Sequence, residues 1–101
     1  MLLIKVLCDQ ACDEAEGMRE YALDALNYRA TRPDMSAAYH KMALAEKEHF
    51  EILHGFIMKA KAEAEKEGVE IPPGMLERWD VKHREMMAEF AEAKALLELY
   101  K

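Results

Sequence analysis

Apolar residues recur at spacings of three and four along nearly the whole chain, a period that suits helices packed on one another and not strands. The pattern breaks at two places. At Thr31-Arg32-Pro33 the proline can open a helix, and Asp34 behind it favours the positive end of that helix's dipole. At Gly68 a left-handed cap can close a helix, and Pro72-Pro73-Gly74 cannot extend one. These breaks predict an all-α chain, 1–101 as a single domain, with helices over about 3–30, 34–66 and 75–100. The first two form an antiparallel hairpin, and Val69-Glu70-Ile71-Pro72-Pro73-Gly74 is expected to be an extended connector to the third.

A chain of 101 residues, 51% of them hydrophobic, can build one modest core. It buries a smaller share of its surface than a larger domain does, so association into a homodimer or higher homo-oligomer is expected. The net charge of -6 and the scatter of Lys and Arg argue against nucleic acid as a partner. Met1-Leu2-Leu3-Ile4-Lys5-Val6-Leu7 is too short for a secretion signal and runs into Cys8-Asp9-Gln10 without a cleavage pattern. No stretch approaches the roughly 20 apolar residues that span a bilayer. The expectation is a protein of the cytoplasm, or of a compartment within it, with no membrane partner. Cys8 and Cys12 lie on one helix face at a spacing foreign to redox and zinc motifs, and read as two reduced thiols.

The polar residues inside the apolar stripes carry the information. In the first helix the stripe is Leu7, Ala11, Glu14, Met18, Tyr21, Ala25, Tyr28, interrupted by Glu14. In the second it is Met35, Tyr39, Met42, Glu46, His49, Leu53, Phe56, Ala60, interrupted by Glu46 and His49. In the third it is Leu76, Trp79, His83, Met86, Phe90, Ala93, Leu97, Tyr100, interrupted by His83. A carboxylate facing a helical core costs several kcal/mol unless it is protonated, paired or bound to a metal. Glu46 and His49, three apart, share a helix face and can converge on one cation. Carboxylate and imidazole together suit iron or manganese better than calcium or magnesium.

Di-iron helical bundles use one Glu from each of two helices and a Glu-x-x-His from each of two others. This chain holds half of that set, so a two-fold axis relating two copies would complete it. Four carboxylates from two copies would then balance two divalent cations. With four His and twenty acids, an acid-x-x-His arises by chance about once, and the sequence has three. The others are Glu51-Ile52-Leu53-His54 and Asp80-Val81-Lys82-His83; only Glu46 and His49 both occupy the apolar stripe.

Glu14-Ala15-Glu16-Gly17-Met18-Arg19-Glu20-Tyr21 and Ala45-Glu46-Lys47-Glu48-His49, with Leu53-His54 following, resemble the ligand helices of the ferritin-like superfamily, in particular its rubrerythrin-like and half-ferritin (encapsulated-ferritin-like) branch. The resemblance covers about half the chain, roughly Cys8 to Phe56. It implies a four-helix metal-binding bundle completed by dimerisation, with two Fe ions per dimer; Mn or Zn also suits these donors. It further implies Glu14 as a terminal or bridging ligand, Glu46 as a bridging carboxylate, His49 as a terminal imidazole, and Tyr21 as a hydrogen-bond partner behind the ligands. Glu16 competes with Glu14: its separation from Glu46 is similar to that in encapsulated half-size ferritins, but it lies off the stripe, and Glu14 is preferred. The activity implied is oxidation of Fe(II) by dioxygen or peroxide, an oxidoreductase of ferroxidase or peroxidase type, and an encapsulating shell is an implied partner. The chain departs from rubrerythrins in lacking rubredoxin-like Cys-x-x-Cys pairs, so a peroxidase cycle needs an external electron donor.

His83 reads first as a core histidine with a hydrogen-bond partner and second as a further ligand. His40 and His54 are expected to be exposed or interfacial, and Trp79 and Tyr100 to anchor the third helix. The eight methionines suit adaptable helix packing. The alternative to an iron enzyme is a non-enzymatic helical assembly protein, phage-associated for example, with a structural or vestigial metal site.

Overall fold

In the computed structural model, which describes residues 2–68 and 74–100, the chain forms three helices: α1 (Leu2–Asn27), α2 (Pro33–Lys66) and α3 (Met75–Leu99). No strand occurs among the described residues. Five of the six connector residues expected to be extended, 69–73, lie outside them.

The first break forms as Pro33 dictates, though α1 ends at Asn27 rather than near Ala30. A residue before proline is driven out of the helical region, and Arg32 accordingly has φ -138° and ψ 75°. The chain turns over 28–31, held by Arg32 N–H donating to the Tyr28 carbonyl at 2.8 Å. Pro33 opens α2 and Asp34 occupies its first turn. Gly68 adopts φ 68° and its N–H reaches the Glu65 carbonyl, closing the helix as a left-handed cap. Gly74, at φ 83°, precedes α3, and its carbonyl accepts from Arg78 N–H.

The helices run up, down and up. Ser36 Oγ donates to the Ala25 carbonyl across the tight first turn, placing α2 antiparallel to α1. Contacts from Asp9 to Lys82 and from Arg19 to Glu89 place α3 parallel to α1. Those between Phe50 and Phe90 and between His40 and Tyr100 place it antiparallel to α2. The bundle measures 55 × 19 × 18 Å, nearly the length of α2 alone. No helix among the described residues is long and apolar enough to cross a membrane.

Along α1 the buried line is Ile4, Cys8, Ala11, Ala15, Met18, Ala22, Ala25, alternating steps of four and three. Its alanines let the neighbouring helices approach closely. Met18, Phe50, Ile57, Met86 and Phe90 fill the volume, with the Phe50 and Phe90 rings 4.1 Å apart. Burial raises the pKa of both thiols, Cys8 to about 11, so they remain protonated.

The expected stripe of α2 is corrected by the structure. The buried line is Ser36, Ala43, Phe50, Ile57, one residue further round than Met35, Met42, His49, Phe56. Met42 is 41% exposed and Phe56 54% exposed. Because α2 packs against both α1 and α3, its core line falls between the two neighbours. Half of that line is the small residues Ser36 and Ala43, which carry little apolar signal.

Candidate metal centre

Glu14 comes from the middle of α1, and Glu46 and His49 from one face of α2, where the antiparallel pairing sets them opposite. One ligand atom from each lies within 4.8 Å of the other two, the one such group of three or more His, Cys, Asp or Glu among the described residues. His49 Nδ1 is 3.4 Å from Glu14 Oε2. That oxygen is buried and has no hydrogen-bond partner. A buried carboxylate oxygen without a hydrogen bond is costly, and a cation, whether the His49 ring or a metal ion, is one way to satisfy it.

Gly17, one turn after Glu14, shapes the floor. A Cβ built there would come 3.2 Å from Glu46 Oε2, so the Glu46 carboxylate rests against bare helix backbone. The two carboxylates perturb one another. The Glu46 pKa is raised to about 7, first by the hydrogen bond to the Glu14 carboxyl, then by burial and by Glu14's negative charge, with His49 pulling it back. Glu46 therefore keeps its proton to higher pH than an ordinary carboxylate, and a divalent cation could take the proton's place.

The centre faces away from α3. Arg19, which pairs with Glu89 of α3, lies five residues from Glu14, about 140° round α1. His54, which meets α3, lies five residues from His49, about 140° round α2. The Glu14 side chain is 26% exposed and that of His49 is 53% exposed, so the group opens onto the outer face of the α1/α2 hairpin. Exposed Met42 and Phe56 flank His49 there at seven-residue spacing. The unpartnered oxygen, the bare backbone at Gly17 and the mixed oxygen and nitrogen donors all fit a divalent transition metal. The three side chains together offer three donor atoms to one ion.

The other sequence-selected residues lie elsewhere. Tyr21 sits in the α1/α2 seam with its ring on Tyr39, centroids 6.0 Å apart, rather than hydrogen-bonded to a ligand carboxylate. Glu16 is exposed and outside the group. His83 belongs to the α2/α3 interface, where its Nε2 is 3.3 Å from His54 Nε2. His54 and His40 are half-buried and interfacial, the second of the two placements expected: His54 meets His83, and His40 stacks on Tyr100 at 3.9 Å with its Nδ1 buried and without a hydrogen bond. Gly17 was not anticipated as part of the centre, although its place three residues after Glu14 puts it on the same face. Comparison with protein-family models, with curated proteins and with solved structures finds nothing that matches this chain.

Proposed function

We propose that the chain is a ferritin-like, iron-binding protein that works as a homodimer, two copies apposing their outer α1/α2 faces. Glu14, Glu46 and His49 of each copy would then surround two Fe(II) ions that enter as substrate. The observation that carries this reading is the convergence of the three side chains around a buried Glu14 oxygen that makes no hydrogen bond and has the His49 nitrogen 3.4 Å away. The exposed Met42 and Phe56 on either side of His49 support a partner on that face.

Two Fe(II) ions bound there would supply two electrons, enough to reduce dioxygen to hydrogen peroxide or peroxide to water, leaving Fe(III). The chain's own residues do the rest. Glu46 would give up its proton to a cation and offer it a carboxylate ligand. Glu14 would contribute the buried oxygen, and His49 a ring nitrogen from the rim. The four carboxylates of the pair offset the four positive charges of two divalent ions, so the apolar rim can close over them at little net charge. Glu46→Gln keeps the shape and removes the charge. It should abolish oxygen-dependent Fe(II) oxidation, followed by the rise of ferric absorbance, with helix content by circular dichroism unchanged; undiminished oxidation would overturn the assignment.

The exposed apolar line also favours a second reading, a non-enzymatic assembly protein that associates through this face whether or not metal is bound. Chelator-treated protein separates the two: an unchanged oligomer with no oxidation in the metal-reconstituted protein favours assembly.

A further inference from the structure

Away from the carboxylate centre, the α2/α3 interface brings together two imidazoles that the iron chemistry does not use. His54 and His83 are both half-buried, with Nε2 atoms 3.3 Å apart and ring centroids 5.5 Å apart. The nitrogens are thus the point of closest approach, and the rings meet edge to edge. Phe50 lies parallel to His54 at 5.9 Å and Trp79 packs on His83 at 5.3 Å, so each ring is held from behind by an aromatic of its own helix. Two neutral imidazoles in this pose can share one N–H across 3.3 Å.

The same spacing also fits a shared cation. Two nitrogens bound to one tetrahedral ion at about 2.0–2.1 Å lie about 3.3–3.4 Å from each other. We propose that His54 and His83 form a second metal site, which takes a late first-row cation such as Zn(II) or Cu(II) through the two Nε2 atoms and ties α2 to α3. Imidazole pairs without carboxylates select these ions over Fe(II) and Mn(II), so the molecule carries two centres of different preference on opposite sides of α2. Water would complete the coordination, since among the described residues no carboxylate joins the two imidazoles in one ligand group, and Glu51 pairs with Lys47.

The site stands independently of the iron reading, and its test keeps the two apart. In calorimetric titrations with Zn(II), Glu46→Gln should retain one ion per chain at the histidine pair. His83→Gln should lose that binding step or weaken it at least about tenfold, while Mn(II) binding at the carboxylate centre stays as in wild type. In wild-type protein, where folding of a variant is not at issue, substoichiometric Cu(II) should broaden the ring proton resonances of His54 and His83 together. Zn(II) binding unchanged in both His54→Gln and His83→Gln would overturn the proposal. So would Cu(II) broadening that spares either ring, the mark of an adventitious ion on a single imidazole. Failure of Mn(II) or Fe(II) to bind at Glu14, Glu46 and His49 would leave this site untouched.

Discussion

Gly17 couples the backbone of α1 to the ligand carboxylate of α2, so a single methyl group there separates stability from metal binding. Replacing a helical glycine with alanine ordinarily stabilises a helix by about 1 kcal/mol. At Gly17 the added carbon sits 3.2 Å from Glu46 Oε2, and the flexible end of Glu46 must move aside by a few tenths of an ångström. Gly17→Ala is therefore expected to hold or raise the melting temperature of the metal-free protein while weakening Mn(II) or Fe(II) binding, read by thermal denaturation and titration on the same samples. The pH dependence of the metal-free protein belongs to this scale too. The Glu46 pKa is raised from 4.5 to about 7 in the folded state, so its contribution is fully present below about pH 4.5 and is lost as pH rises through 7. His54 acts in the opposite sense: burial first, and then His83, lower its pKa, so its contribution is present above its ordinary value of 6.5 and is lost as pH falls through the lowered one. The pair predicts that melting temperature, measured from pH 5 to 8, falls less toward pH 8 in Glu46→Gln than in wild type. It also predicts a shallower fall toward pH 5 in His54→Gln.

Among the elements, α2 bears on both neighbours, and its rotation decides which side chains face which. The three helices and their breaks were legible because Pro33, Gly68 and Gly74 act locally: Pro33 forbids continuation of α1, Gly68 takes the left-handed conformation that closes α2, and Gly74 takes the same conformation just before α3. The rotation of α2 was not legible. Its buried line contains Ser36 and Ala43, while the larger Met42 and Phe56 one residue back stay exposed, so size and apolarity pointed to the wrong face. The convergence of Glu46 and His49 survived that error because both lie on the side of the stripe nearer α1. The His54 and His83 pair could not be assembled from sequence, since two acid-x-x-His segments on different helices meet only once the register of α3 is known. Phe50, 1% exposed and stacked on Phe90, fastens α2 to α3. Phe50→Ala should cost about 3–5 kcal/mol in denaturant unfolding. A loss below about 1 kcal/mol would mean that α3 is not held through this contact.

At the scale of the whole molecule, the bundle has one side closed by α3 and one side left open, and the carboxylate centre lies on the open side. A three-helix protein that needed only a core would have no use for two glutamates and a histidine converging beside exposed Met42 and Phe56. Two copies joined there would cover the apolar rim and supply the missing donors in one step, making assembly and metal binding a single linked equilibrium. On the proposed dimer, half a ligand set can be read from the sequence but its completion cannot, because the remaining donors would belong to another copy of the same chain. The most direct measurement is the anomalous difference map of crystals grown anaerobically with Fe(II), recorded above and below the iron absorption edge. It should show iron within bonding distance of Glu14, Glu46 and His49, with donors drawn from two copies; an absence of iron at these residues, or a site completed by one chain alone, would contradict the account.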